Sequence, residues 1–249
     1  LKSAYAWDRL FANTRSVMTI HNIGYQGLFA AASAADVGLG DATHLLHQDD
    51  LRAGVVNSLK HGVMYADSLT TVSPTYAREI LTPQFGMGLE ESLRARRGSL
   101  VGILNGVDYD EWDPRNDPII TRHFDQDRLD IKTSLKHEFL ARLGLRFTVR
   151  TPLLGIVSRF TAQKGFDLLF DVLPSLLARR NACCVALGSG EPIYEQFFSR
   201  LQKRFPARVV FHRGYSEEMA HWIEACSDIF VMPSLYEPCG LNQMYSLRY

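Results

Sequence analysis

Leu153-Leu154-Gly155-Ile156-Val157-Ser158-Arg159-Phe160-Thr161-Ala162-Gln163-Lys164-Gly165 carries the clearest signal of architecture in the chain. Its five opening apolar residues read as a short strand buried on both faces, and an amphipathic pattern follows over residues 166–179. The same unit recurs downstream. Residues 182–187 are apolar and 193–205 helix-like; 209–211 are apolar and 219–226 helix-like; 228–232 form a fourth run, apolar after Asp228, and a helix begins near Gly240. Strands alternating with helices predict an α/β protein on a parallel, doubly wound sheet. Ser216, followed by Glu217 and Glu218, supplies a hydroxyl cap and acidic residues for the positive end of a helix dipole. Pro174 predicts a kink or an early end in the first of these helices.

Working back toward residue 1, the pattern is similar but more interrupted. Residues 17–20 and 68–72 read as strands, 57–66 and 75–81 as helices, and 33–50 as a long irregular loop of the kind that often carries function. Residues 100–104 form another expected strand, and 105–117 are polar and turn-rich. These features place a domain boundary between residues 103 and 104. Residues 129–143 are helix-like and stop at Gly144, a natural left-handed terminator. The chain begins with Leu and stops at Tyr249 inside a helical pattern, so an internal piece of a longer chain is expected.

Composition narrows the function. Lys plus Arg equals Asp plus Glu at 27 each, and 46% of the 249 residues are hydrophobic. A balanced charge argues against nucleic-acid or membrane-surface partners, which select for basic excess, while leaving room for a local cationic pocket. No apolar run is long enough to span a bilayer, and the first residues do not read as a signal peptide. Cys183, Cys184, Cys226 and Cys239 lack C-x-x-C spacing, so reduced thiols and a cytoplasmic location are expected.

In open parallel sheets, ligands bind at the carboxyl ends of strands near helix N-termini, and four segments place polar residues there. Arg159 and Lys164, on a loop over a helix start, suit a diphosphate: they offer charge-assisted hydrogen bonds and neutralise a leaving group without a metal. Alone, the same spacing would read as two solvated cations. Gly188, in Leu187-Gly188-Ser189-Gly190, lets a ligand approach the backbone, although many such turns are glycine-rich for steric reasons. Glu237 follows a buried strand, where a carboxylate can take sugar hydroxyls or stabilise positive charge on a ring; the bland alternative is a helix cap. Cys239, Gly240 and Leu241 open a helix whose N–H groups would face an anion, and Cys239 reads as a packing residue because nothing is placed to activate it. His21, Tyr25 and Gln26, in His21-Asn22-Ile23-Gly24-Tyr25-Gln26-Gly27, form a mixture suited to sugar hydroxyls.

These segments together resemble the glycogen and starch synthase family. The strings that carry the resemblance are the His21 to Gly27 run, Ala66-Asp67, Thr71-Val72-Ser73-Pro74-Thr75-Tyr76-Ala77-Arg78-Glu79, Leu104-Asn105-Gly106-Val107-Asp108, the Val157 to Gly165 run and Tyr236-Glu237-Pro238-Cys239-Gly240-Leu241. They span nearly the whole chain in the family's order. The resemblance implies a GT-B architecture, two Rossmann-like domains with parallel sheets facing across a cleft, both incomplete here. Residues 1–103 would be the later part of the acceptor-side domain and 104–249 the earlier part of the nucleotide-sugar domain. It further implies a hexosyltransferase that moves glucose from ADP-glucose to the non-reducing end of an α-1,4-glucan with retention, with no metal or other cofactor. Arg159 and Lys164 would hold the donor diphosphate and Glu237 the donor sugar, with the N–H groups of Cys239, Gly240 and Leu241 on the distal phosphate. His21 would face the sugar from the other domain, Asn105 would line the cleft, and Tyr215 would stack on the nucleobase. Closure of the two domains would then exclude water around the sugar.

The chain departs from the family pattern in three ways. The Lys-Thr-Gly-Gly-Leu loop, the Asp-Trp-His motif and the later Thr-Gly-Gly-Leu segment are absent, so a chain of these 249 residues alone is expected to transfer little or no glucose. The second glutamate of related enzymes, eight residues after Glu237, is here Tyr245, as the synthase branch tolerates. Sucrose synthases and lipid glycosyltransferases of the same architecture, or a binding module without catalysis, are the competing readings. Asp108-Tyr109-Asp110 and Asp125-Gln126-Asp127 match D-x-D but lie in connecting sequence and read as solvated turns. His44, His47, Asp49 and Asp50 read as loop polarity rather than a metal set, and Arg94-Ala95-Arg96-Arg97 as a solvated face.

Overall fold

The computed structural model describes residues 7–249, and the chain divides into two compact units, Leu1–Asn105 and Gly106–Tyr249. The first unit is built on three parallel strands, β1 (Val17–Ile20), β4 (Ser68–Thr71) and β5 (Leu100–Gly102), in the order β1-β4-β5. Register places Val17 opposite Ser68 and Leu69 opposite Leu100. A separate antiparallel pair, β2 (Leu28–Ala30) with β3 (Val55–Asn57), belongs to the same unit. Its helices are α1 (Gln48–Arg52), α2 (Ser58–Tyr65), α3 (Pro74–Glu79) and α4 (Glu90–Ala95). Three of these short helices start on side-chain caps: His47 accepts from the Asp50 N–H, Asn57 from the Lys60 N–H and Ser73 from the Tyr76 N–H, with Pro74 at the first position of α3.

The second unit carries α5 (Leu129–Arg142) and then four strand–helix steps: β6 (Leu153–Val157), α6 (Leu169–Arg179), β7 (Cys183–Gly188), α7 (Pro192–Arg204), β8 (Val209–Arg213), α8 (Glu217–Cys226), β9 (Ile229–Phe230) and α9 (Leu241–Arg248). The sheet is all parallel in the order β8-β7-β6-β9. The pleat sorts its residues onto two faces. Cys183, Val185 and Leu187 join the core under α5 and α8, while Cys184 and Ala186 join that under α6 and α7. Gly155 has no side chain because α8 passes close: a Cβ there would strike Ser227 and Ile223.

Several elements differ from the pattern-based expectation. The α6 helix runs through Pro174 to Arg179, so proline does not end it. The turns ahead of it, 162–164 and 166–168, are instead tightened into 3-10 geometry around Gly165. The strand expected over 228–232 pairs only at Ile229 and Phe230, because Asp228 turns its carboxylate onto the Leu153 N–H and Lys136. The 33–50 segment contains 3-10 turns and the start of α1, where His47 caps the helix and Asp50 pairs with Lys60 at 2.9 Å. Arg96 is no solvated residue: its guanidinium donates to the carbonyls of Val63, Met64, Ala66 and Asp67 and so closes the end of α2. In both D-x-D segments the first aspartate accepts the N–H two residues on, as local turns do.

Candidate functional site

The loop from Ser158 to Gly165 owes its shape to its own aromatics. Phe160 and Phe166 are fully buried and pack on Phe198, with ring centroids 4.8 and 5.7 Å away. With those two rings driven into the core beneath, Arg159 is left exposed and Lys164 half-buried. The loop is then pinned to the next turn by the Phe160 N–H on the Ser189 carbonyl (2.8 Å) and the Glu191 N–H on the Phe160 carbonyl (2.7 Å). Gly188 and Gly190 permit this approach, since a Cβ on either would overlap the backbone of Ser158 or Phe160.

On its other side the loop meets the segment that follows β9. Lys164 Nζ lies 2.6 Å from Glu237 Oε1, with the two side chains 18% and 19% exposed. The same carboxylate oxygen accepts the Ser234 hydroxyl at 2.5 Å. Gln163 fixes the register: its carbonyl accepts the Leu235 N–H and its amide donates to the Tyr236 carbonyl. Gly165 sits in the left-handed region at φ +66°, its α-carbon against the Pro233 carbonyl where no side chain fits. Asn242, one residue into α9, donates to the Val157 carbonyl at 2.8 Å. Gly240, also left-handed at φ +79°, opens α9, whose leading N–H groups have no partner within the helix. Cys239 is half-buried and forms no disulfide, and Leu241 is exposed.

The second unit therefore gathers Arg159, Lys164, Gly188, Glu237, Cys239, Gly240 and Leu241 at the carboxyl ends of its strands. Tyr215, 84% exposed, stands on the turn after β8, which is tied to Gly188 by the Gly214 N–H on the Gly188 carbonyl. Two cations, helix-leading amides, one carboxylate and an exposed ring are the groups that a nucleoside diphosphate linked to a polyol requires.

In the first unit His21 follows β1 and is exposed, as is Tyr25. The loop they stand on is fastened from below, where the Ile23 N–H donates to the buried Tyr76 hydroxyl at 3.0 Å and Thr71 Oγ1 donates to the Ile20 carbonyl. Gln26 braces that loop, since its amide donates to the Met87 carbonyl and its oxygen accepts from Asn57 at 2.6 Å. Asn105 is half-buried, three residues beyond β5. Sequence reasoning missed Ser234, Gln163 and Asn242, whose partners lie 3 to 85 positions away. Ser234, three residues before Glu237, was the only one with a local signal. Among the described residues, no three His, Cys, Asp or Glu side chains converge as a metal-ligand group, and no helix is long and apolar enough to cross a membrane.

Comparison with known proteins adds independent findings. Residues 1–95 match the family model described as starch synthase catalytic domain, and residues 151–247 match glycosyl transferases group 1. The chain is 49% identical over 249 residues to a glycogen synthase of Koribacter versatilis, covering all of this chain and 51% of that protein. It is 46% identical over 255 residues to a glycogen synthase of Anaeromyxobacter dehalogenans, covering all of this chain and 52% of that one. It superposes with a TM-score of 0.88 and 34% identity on the catalytic domain of starch synthase IV from Arabidopsis thaliana bound to ADP and acarbose, covering 98% of this chain and 52% of that one. The chain thus spans about half the length of the curated relatives it matches.

Proposed function

Because the chain belongs to the glycogen and starch synthase family, we propose that it contributes the donor-binding groups of a glucosyltransferase that moves glucose from ADP-glucose to an α-1,4-glucan with retention. The observation that carries this is the convergence of Arg159, Lys164, Glu237 and the α9 N-terminus at one end of the second sheet. Cleaving the bond between the anomeric carbon and the diphosphate leaves negative charge on phosphate oxygens and positive character on the sugar ring. Arg159, Lys164 and the α9 amides oppose the first, and the Glu237 carboxylate opposes the second. These groups neutralise the leaving diphosphate themselves, so no metal is assigned to the step. No side chain here is assigned as a covalent nucleophile. Retention then proceeds by same-face attack, with the departing phosphate oxygen taking the proton of the acceptor hydroxyl.

In the first unit, His21 and Tyr25 offer polar and aromatic contacts for sugar rings, and Asn105 an amide. Gln26 supports them by holding the loop to Asn57 and Met87. The same reading places the protein in the cytoplasm, on the spacing of its four cysteines in the sequence.

The test is transfer of labelled glucose by a protein that carries this sequence within a chain of its relatives' length. ADP-glucose and UDP-glucose are offered against glycogen and against fructose. Incorporation into glycogen from ADP-glucose is expected. Sucrose formation would assign a different branch of the same architecture, and binding of ADP without any transfer would leave a binding module.

A further inference from the structure

Glu195 lies in the first turn of α7 and is 8% exposed, an unusual burial for a glutamate. Both its oxygens are used. Oε1 accepts the Gly190 N–H at 3.0 Å, and Oε2 receives the Arg213 guanidinium at 2.7 Å. Gly190 ends the turn after β7, the turn stitched to the Arg159 loop. Arg213 ends β8, two residues before Tyr215. Glu195 is thus the side chain that joins the phosphate-side turns to the turn bearing the exposed ring.

A favourable charge near a helix N-terminus does not explain this arrangement. Glu191, one turn earlier and exposed, supplies such a charge at no desolvation cost. A carboxylate taken out of water is retained where its partners are fixed relative to one another. Both partners here belong to neighbouring strand ends, and Arg213, 73% exposed on its side chain, would otherwise be a mobile cation next to the anion site.

We infer that Glu195 is a positioning residue for the nucleotide: it sets the distance between the diphosphate cradle at Arg159 and Lys164 and the base platform at Tyr215. The inference rests on the donor reading above. A nucleoside diphosphate engages both places at once, so its affinity depends on their being held at the spacing of the ligand. Inorganic diphosphate engages only the first place and is indifferent to that spacing.

The two ligands separate the possibilities. A protein that carries this sequence within a chain of its relatives' length is titrated calorimetrically with ADP and with inorganic diphosphate as wild type, Glu195→Ala, Glu195→Gln, Arg213→Gln and the double variant with both glutamines. Glu195→Ala is expected to weaken ADP about tenfold while leaving diphosphate within about twofold. Glu195→Gln, which keeps an acceptor for the Gly190 N–H, recovers part of that loss; Arg213→Gln matches it, and the double variant adds nothing further. Equal losses for ADP and diphosphate would mark a general loosening of the fold and overturn the positioning role, as would unchanged ADP affinity in Glu195→Gln and Arg213→Gln. If the wild type binds neither ligand, the donor reading itself fails and takes this inference with it.

Discussion

Lys164 and Glu237, 73 residues apart in sequence, share an ion pair of 2.6 Å at the carboxyl ends of adjacent parallel strands, β6 and β9. The cation assigned to the diphosphate and the carboxylate assigned to the sugar thus neutralise each other. In the proposed function, a nucleotide sugar would give each a second partner. The pair leaves neither charge uncompensated at a mostly buried position.

One consequence concerns anion affinity. Glu237→Gln removes the negative charge beside the diphosphate while keeping an oxygen for Ser234 and Lys164. ADP is expected to bind severalfold more tightly to this variant, by about 1 kcal/mol, because Lys164 is no longer neutralised. Isothermal titration of the variant against wild type checks it. Weaker ADP binding would place the carboxylate on the wrong side of the chemistry.

A second concerns the backbone that lets the pair form. Gly165→Ala puts a side chain at φ +66° against the Pro233 carbonyl. The left-handed conformation alone costs about 1–3 kcal/mol, and the overlap adds to it. A thermal melt is expected to show a transition lowered by at least several degrees, with ADP affinity falling as the 158–165 loop separates from the 233–237 segment.

A third follows from Glu224, which is buried beneath α9. Burial pushes its carboxyl up to about 8, opposed by the Ser246 hydroxyl on Oε2 and by Lys132, and its Oε1 lacks a hydrogen-bond partner. The folded protein thus holds a proton that the unfolded chain gives up above the ordinary glutamate value of 4.5. Unfolding then releases a proton, so Glu224 makes stability fall as pH rises from about 4.5 to about 8. Asp113 and Asp117 act in the opposite sense at lower pH. Although burial opposes it, hydrogen bonds from Arg115 and Arg248 to Asp113, and from His221 and Tyr249 to Asp117, hold both carboxyls below the usual range. Their stabilisation is lost as pH falls below that range. Melting curves of Glu224→Gln and wild type are expected to coincide more closely at pH 5 than at pH 8.5, where the variant melts higher. A pH-independent difference would contradict the assignment.

The exposed ring gives a fourth. Tyr215→Ala is expected to weaken ADP by about 1–3 kcal/mol, the usual worth of one base stacked on an aromatic side chain. Tyr215→Phe should retain most of the affinity. Parallel titrations with inorganic diphosphate should show no difference among the three proteins.

The alternating strands and helices of the second unit were readable because each strand is buried on both faces and each helix shows its own period. The run Leu153–Val157 and the helix start at Ser216 appear where pattern and capping chemistry placed them. Less was visible in the first unit. The three-residue strands β2 and β3 carry too few residues for a period, and they pair by a long connection. Arg159, Lys164 and Glu237 were identifiable as residue types at strand ends. The contact between Lys164 and Glu237 was not, because it depends on β6 and β9 being sheet neighbours, which local pattern does not specify. Local composition groups Gln26 with sugar-binding residues; its hydrogen bonds to Asn57 and Met87, 31 and 61 positions away, carry no local signal. Glu195 left no sequence signal, since a glutamate near the start of an amphipathic helix is ordinarily solvated.

The donor site is tested most sharply by the dissociation constant of ADP, measured calorimetrically for the wild-type chain, Arg159→Ala and Lys164→Ala. Each substitution removes charge-assisted hydrogen bonds worth about 1.5–3 kcal/mol, so each is expected to weaken ADP by about tenfold to a hundredfold, with a transition in thermal melts still present. ADP affinity within about twofold of wild type in both variants, less than the loss of even one such bond, would contradict the assignment of this loop to the diphosphate.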